Sequence, residues 1–409
     1  MKQEVSIYNQ DILAWLDVYN GPKFKFVFSD PPYEINHLGG WDKNGIAFSP
    51  ELYAGLNNAM LPGAFICLYG YSRTHHRVMV ALEDAGFILH KTIFAWVYTS
   101  GNPLGAQNAQ RKVDNRFTKS YGGYCKCGNP IKGKAVEANI TLKHLHNEVH
   151  ICTQCSKPIR EIISEVKWGK TGGMKNLGGN GYGNDNTQVI AKSMTPEAEL
   201  LKPYSYGLAW SKPMLEPVIL AQKPFDTGDQ VDGMLKYGTG VVNVHEARHT
   251  NRWPGNFIAV HAPDCPFSLT GQCNCGIGDY AQQDAEFYEK IPSFGYTLDD
   301  NSASAIDYML YDSKPNKKER DNGLTKANTH PSVKPLSVGE YLGKLFLPPA
   351  EFGERHALVP FSGSGSEIAS LIRSGWDSVT GVENNRTYCE ISERRVGSLT
   401  SVTPTILIS

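Results

Sequence analysis

Asp30, Pro31, Pro32 and Tyr33 follow directly on an apolar β-type run over residues 25–29, and residues of these types in this order suit a reaction on an amino group. Two consecutive prolines fix φ and hold the residues before them extended, so Asp30 and the Pro31 carbonyl are offered as acceptors from a rigid turn. Neither proline has an N–H to donate, and Tyr33 adds a flat stacking surface. In a second set, Phe361-Ser362-Gly363-Ser364-Gly365 joins a strand to a helix, where glycines let a ligand approach the backbone closely. Glu383 stands 20 residues after Gly363 at the end of the next strand, the offset at which an acidic residue meets a ribose in dinucleotide-type folds. A third set comprises Cys125-Lys126-Cys127 and Cys152-Thr153-Gln154-Cys155, two close pairs separated by 24 residues. Thiolates so paired can complete a tetrahedral Zn²⁺ site, with His144, His146 and His150 as substitute ligands; free thiols or a redox pair are the other readings. Cys265, Cys273, Cys275 and His261 offer a second, weaker metal spacing.

These residues act together only if strands bring them to one end of a sheet. Residues 26–29 read as a strand, and a parallel α/β sheet gathers its chemistry at the carboxyl ends of its strands. Around it the pattern predicts a strand over 5–8, a helix beginning over 12–16, a helix over 49–61 and a buried strand over 64–69. A helix over 72–85 and a strand over 87–96 follow, with Gly86 as the helix stop. Asp11 reads as the N-cap of the first helix. This rhythm implies a parallel sheet with helices on its faces, and it supplies half of a doubly wound domain. The last 80 residues supply the other half: a helix over 338–346 after His330-Pro331-Ser332-Val333-Lys334-Pro335, a strand over 357–361, a helix over 366–374 and a strand over 379–382. Residues 215–223 return to β-type sequence. Glu216 there reads as a solvent-facing strand residue, with a bond to the turn carrying Asp30 as the alternative.

At 409 residues, 41% hydrophobic and with a mean hydropathy of -0.35, the chain has room for two or three domains of an ordinary soluble protein. No stretch approaches the roughly 18 apolar residues of a membrane span, and Met1-Lys2-Gln3-Glu4 opens no signal peptide, so a cytoplasmic location is expected. Nine cysteines without export signals suggest thiols or metal ligands rather than a disulfide framework. The formal charge of -1 does not announce a nucleic-acid binder. Residues 111–175, however, hold 13 Lys and Arg against 5 Asp and Glu, a local +8 that suits phosphate contact. The glycine-rich stretch over 172–183 reads as a mobile loop.

The Asp-Pro-Pro-Tyr turn and the glycine loop with Glu383 resemble the motifs of the amino-group DNA methyltransferases, which methylate N6 of adenine or N4 of cytosine. The order of the two motifs resembles the circularly permuted class called beta, with phage and prophage relatives. The resemblance covers residues 1–100, 200–225 and 325–399. It implies an α/β, Rossmann-like class I methyltransferase sheet, permuted; the cysteine pairs read as a zinc-ribbon-like insertion in it, and the stretch separating the two halves as a target-recognition region. The corresponding divisions are a catalytic half over 1–110, the basic cysteine-containing insertion over 111–195, a return to the sheet over 196–225, the recognition region over 226–325 and a cofactor half over 326–409.

Carried over residue by residue, the resemblance makes Asp30, Pro31, Pro32 and Tyr33 catalytic, acting on a base flipped out of the duplex. It gives the cofactor S-adenosylmethionine to Asp11, Lys334, Pro335, Phe361, Ser362, Gly363, Ser364, Gly365, Glu383 and Asn384. The implied reaction is methylation of adenine N6 in double-stranded DNA, because relatives acting on cytosine more often place Ser at the position of Asp30; cytosine N4 is the alternative. A cognate restriction endonuclease is an implied partner. One residue departs from the pattern: Val359 stands where relatives usually carry an Asp, two positions before the Phe of the loop. A catalytically degenerate DNA-binding protein is therefore the competing reading.

Overall fold

The structure, a computed structural model, describes residues 3–35, 42, 44–97, 107–109, 112–113, 162–167, 187–191, 196–206, 215–247, 257–260, 309–311 and 317–407. The chain divides into two units, residues 1–101 with 214–409, and residues 102–213. In the second unit, Ile162–Lys167 and Thr187–Ala191 form an antiparallel pair, and Pro196–Leu200 is a short helix. Cys125, Cys127, Cys152 and Cys155, the three intervening histidines and the 172–183 stretch lie outside the described residues, as do Cys265, Cys273, Cys275 and His261.

The first unit is built on a single eleven-stranded sheet. In chain order its strands are β1 (Glu4–Asn9), β2 (Phe24–Ser29), β3 (Met60–Tyr69), β4 (Ile88–Leu89), β5 (Phe94–Val97), β6 (Leu215–Gln222), β7 (Phe257–Val260), β8 (Met309–Tyr311), β9 (His356–Pro360), β10 (Ser378–Glu383) and β11 (Thr405–Leu407). The principal helices are α1 (Ile12–Val18), α2 (Pro50–Ala59), α3 (His75–Asp84), α4 (Gln230–Tyr237), α5 (Leu336–Leu345), α6 (Ser366–Arg373) and α7 (Arg386–Thr400). The strand order is β8-β7-β5-β6-β3-β2-β9-β10-β1-β11, with β4 on β6. Every pairing is parallel except those of β6, which runs antiparallel to β3, β4 and β5.

All six residues of β2 are buried, as expected of a strand covered on both faces. Period-2 alternation sends Phe26 and Phe28 to one face with Val359, Trp376 and the apolar sides of α5 and α6. Val27 goes to the other face, and an irregularity in register between Phe24 and Phe26 puts Phe24 there too, with Leu358, Trp15 and the apolar sides of α2 and α3. The buried Lys25 donates its Nζ to the Phe352 carbonyl at 2.7 Å. The chain leaves β2 through α2 to β3 on one side and leaves β9 through α6 to β10 on the other. The strand order therefore reverses between β2 and β9, and a crevice at such a switch point is where open α/β sheets bind ligands.

The strand expected over 87–96 is two pieces. Ile88 and Leu89 pair with β6, and the chain rejoins the sheet only at Phe94, because the polar His90-Lys91-Thr92 interrupts the apolar run. The helix expected to reach Leu61 ends at Ala59, where Pro62 and Gly63 forbid its continuation and β3 begins.

Candidate active site

Ser29, the last residue of β2, donates its hydroxyl to the carbonyl of Pro360, the last residue of β9, at 2.7 Å. This bond fastens the ends of the two strands together, and with them the Asp30 turn and the glycine loop.

Around the turn, side chains from three separated stretches of chain meet. Asp30 Oδ2 accepts from Ser332 Oγ at 2.8 Å, and Oδ1 lies 3.1 Å from Lys334 Nζ. The same ammonium donates to Tyr33 Oη at 2.6 Å and to Glu216 Oε2 at 3.0 Å, and Tyr33 Oη in turn donates to Glu216 Oε2 at 3.0 Å. Lys334 Nζ also sits 4.9 Å from the ring centroids of Tyr33 and Tyr69, a cation–π distance. Burial works against the charge on Lys334, but Asp30 and Glu216 together outweigh it and hold the ammonium's pKa above its ordinary value. Burial pushes the Asp30 carboxyl up, with Lys334 pulling it down.

Glu216 corrects the solvent-facing reading: its side chain is 12% exposed and belongs to this cluster, brought there by the antiparallel course of β6. Lys334, expected to flank a cofactor, has its ammonium on the Asp30 turn, while Pro335 caps α5 in an extended conformation. The turn is held from outside as well. Thr74 Oγ1 donates to the Tyr33 carbonyl at 3.0 Å, and the Tyr33 ring stacks on Tyr71 with centroids 5.9 Å apart. Glu34, with a left-handed φ of 56°, is locked by its N–H on Asp42 Oδ1 and by its carboxylate on the Gly45 N–H. Left-handed backbone at a non-glycine residue is strain that persists only where the surroundings over-determine it.

The glycine loop carries the same signature, since Phe361 has φ 52°. Glu383 fastens the loop: its Oε2 accepts from the Gly363 N–H at 3.0 Å and its Oε1 from the Asn385 N–H at 2.8 Å. Arg395, fully buried in α7, donates Nη1 to the Ser364 carbonyl at 2.5 Å and to the hydroxyls of Ser364 and Ser366 at 3.1 and 3.2 Å. Burial lowers its pKa to about 10. The Ser362 N–H donates to the Val382 carbonyl, and Asn384 is exposed with its carbonyl accepting from Asn9 Nδ2.

Gly365 has φ +78°, and a Cβ there would lie 2.3 Å from Ser392 Oγ. Gly365→Ala is accordingly expected to cost about 2 to 4 kcal/mol, combining left-handed strain and overpacking. A urea midpoint unchanged from the wild type would contradict this. His330 lies over the loop, its Nδ1–H donating to the Ser332 carbonyl at 2.6 Å and its ring edge-on to Tyr388. Burial lowers its pKa to about 4, so the imidazole is neutral at pH 7. Asp11 caps α1, its Oδ1 accepting from the N–H groups of Leu13 and Ala14, and it stays exposed on the carboxyl edge beside Glu383.

Several buried polar atoms near the centre have no hydrogen-bond partner among the described residues, including Glu367 Oε1 on the first turn of α6, Tyr69 Oη at the end of β3, Ser362 Oγ in the glycine loop and Arg395 Nε. Burial and the neighbouring Asp30 push the Glu367 carboxyl up to about 7. Among the described residues no group of three or more His, Cys, Asp or Glu is placed to hold a metal.

Sequence reasoning missed Ser332, Glu367 and Arg395. Glu367 carries the one available signal, a charge inside a helix whose other buried members include Ile368, Ala369, Leu371 and Ile372. Ser332 and Arg395 sit in polar contexts that no periodicity singles out. Chemically, the assembled site offers fixed carboxylate acceptors and an aromatic face from the turn, and opposite them a braced, close-approach backbone loop.

No protein-family model matches the chain, and no curated protein sequence does. Among solved structures, the chain is similar to the M1.HpyAVI–SAM complex at 12% identity over 96% of this chain and 98% of the other, with a TM-score of 0.42. It is similar to TTHA0409, a putative DNA modification methylase from Thermus thermophilus, at 12% identity over 99% of each chain, with a TM-score of 0.42. It is likewise similar to the cytosine-N4-specific PvuII DNA methyltransferase at 10% identity over 99% of this chain and 96% of the other, with a TM-score of 0.43.

Proposed function

We propose that the chain is an S-adenosylmethionine-dependent methyltransferase that modifies the exocyclic N6 of adenine in double-stranded DNA. The observation behind this reading is the juxtaposition at the switch point, where Ser29 Oγ on the Pro360 carbonyl ties the Asp-Pro-Pro-Tyr turn to the glycine loop. An acceptor site for an amine and a backbone cradle for a second ligand thus share one crevice.

An aromatic amine is a poor nucleophile because its lone pair is delocalised into the ring. Asp30 and the Pro31 carbonyl accept the amine's N–H bonds and draw the nitrogen toward tetrahedral geometry. A carboxylate offers about four lone-pair sites, so Asp30 can hold the amine with Ser332 and Lys334 still in place. Tyr33 stacks on the extruded base, its ring fixed by Tyr71 and its hydroxyl by Glu216 and Lys334. When bound, S-adenosylmethionine would supply an electrophilic sulfonium methyl, leaving as the neutral thioether; Asp30 and the Pro31 carbonyl would hold the amine's N–H bonds so that its lone pair faces that methyl, and the proton released on transfer would pass through the Asp30 hydrogen bond to water. Positioning and fixed acceptors carry the rate.

The residues of the glycine loop fit a donor of this kind. Phe361 to Gly365 offer close backbone approach, Glu383 and Asp11 lie on the same carboxyl edge for a ribose and an adenine ring, and Glu367 holds one carboxylate oxygen without a partner for a cation. The chain order, with the Asp30 turn on β2 and the glycine loop on β9, supports the permuted arrangement. We assign the basic insertion to phosphate contact and to a structural zinc on Cys125, Cys127, Cys152 and Cys155. Residues 226–325 are assigned to target recognition, a cognate endonuclease is the fitting partner, and the cytoplasm of a bacterial or phage-infected cell is the fitting location.

The acceptor class is tested by offering tritiated methyl donor with duplex DNA, RNA and protein in parallel; label in the DNA is expected, and label only in RNA or protein would overturn the reading. Elemental analysis is expected to find about one zinc per chain if the four thiolates close one tetrahedral site. A Cys152→Ser variant should lose the metal and with it DNA affinity, and metal-free wild type with full DNA binding would remove the zinc.

A further inference from the structure

We propose that Glu367 binds the α-ammonium of the methyl donor's amino-acid part and is the counter-charge at that end of the cofactor site. This rests on the function proposed above. Glu367 is only 6% exposed, and its Oε1 has no hydrogen-bond partner among the described residues. A carboxylate buried without a partner is costly, and buried polar groups left unpaired in a folded protein call for an explanation.

Lys334 is held by Asp30 and Glu216, and Arg395 spends its Nη1 donors on Ser364 and Ser366 and its Nη2 on the Glu319 carbonyl, its Nε–H being left without a partner among the described residues. Glu367 stands two residues beyond Gly365, on the first turn of the eight-residue helix α6, and on the sheet face that also holds Val359 and Tyr69. That position puts it on the glycine-loop side of the crevice, within electrostatic reach of Asp30 and Lys334. Oε1 therefore lacks a donor on the donor-binding side of the crevice, and an α-ammonium brings three N–H donors that can satisfy it. The phenol of Tyr69, unpartnered and electrostatically coupled to Glu367, provides a second polar atom for the same group.

The test is calorimetric binding of two ligands that differ in this part alone: S-adenosylhomocysteine, which carries the ammonium, and 5′-methylthioadenosine, which lacks the whole amino-acid part. Glu367→Gln, close in volume and still polar, is expected to weaken S-adenosylhomocysteine roughly 10- to 100-fold, the range of a lost charged hydrogen bond, and to leave methylthioadenosine within about twofold. Equal affinity of wild type and variant for S-adenosylhomocysteine would overturn the inference while leaving the proposed function standing. Equal weakening of both ligands would overturn it too, by making Glu367 a structural residue. A wild type that binds neither ligand would remove the proposed function, and this inference with it.

Discussion

Asp30→Ala lowers the rate of methyl transfer by about 10³-fold while S-adenosylhomocysteine affinity stays within about twofold, if fixed acceptors at the turn carry the chemistry. The rate effect is large because the carboxylate sits in a water-poor cluster, 13% exposed, where a hydrogen bond to the reacting amine is electrostatically stronger than in water. The affinity effect is small because Asp30 belongs to the turn and not to the glycine loop. Tyr33→Ala separates the second role of the turn: loss of the stacking surface should weaken base capture by about 1 to 3 kcal/mol and raise KM more than it lowers kcat. Single-turnover kinetics on a short duplex distinguish the two. An Asp30→Ala protein with wild-type single-turnover rate would sink the mechanism.

Lys334→Met is the substitution with the largest expected effect on stability. The ammonium lies 3.1 Å from Asp30 and 3.0 Å from Glu216 and is 6% exposed, so its removal takes from two buried carboxylates the cation they share. Breaking a buried ion pair by deleting one partner costs about 3 to 5 kcal/mol, and here one cation serves two anions. The loss should depend on pH in a fixed direction. Without Lys334, burial and the neighbouring Glu216 raise the folded-state pKa of the Asp30 carboxyl above its unfolded value. The folded variant then binds more protons than its unfolded chain, and stability returns as pH falls toward the ordinary carboxylate range. The gap between wild type and variant in urea midpoint is expected to be widest near pH 8 and to narrow near pH 5. A gap that does not change between these two pH values would contradict the assignment of Lys334 as the counter-ion.

Much of the sheet was legible in the sequence because its strands bury both faces. Phe24 to Ser29 and the β9 and β10 segments read as near-continuous apolar runs, and the positions expected for β1, β2, β9, β10, α1 and α6 agree with the structure to within about two residues. The end of β2 at Ser29, directly before the turn, followed from the turn's two prolines alone. What escaped was set by tertiary placement. Glu216 reads as an exposed strand residue until β6 is seen to run antiparallel beside β3, which turns that end of the strand toward Tyr33. Lys334 is 301 residues from Tyr33, and no local pattern reports a contact of that range. Arg395 follows Arg394 in a polar helix, and only the packing of α7 under the glycine loop decides which of the two is buried.

Val359 acquires a physical reading from the same geometry. It is fully buried on the face shared by α5 and α6, where a lone carboxylate would need a partner. Glu367 occupies the same face in the first turn of the following helix, so this chain keeps a carboxylate near the loop while leaving the end of β9 apolar.

The measurement that bears most directly on the central claim is the identity of the modified atom. Purified protein is incubated with unmethylated double-stranded DNA and S-adenosylmethionine, the DNA is digested to nucleosides, and the products are resolved by mass spectrometry. N6-methyladenine, absent from an Asp30→Ala control, is the predicted result. N4-methylcytosine would keep the turn's chemistry and correct the base. No methylated nucleoside, from protein shown to bind the same DNA, would contradict the account and leave a DNA-binding protein without catalysis.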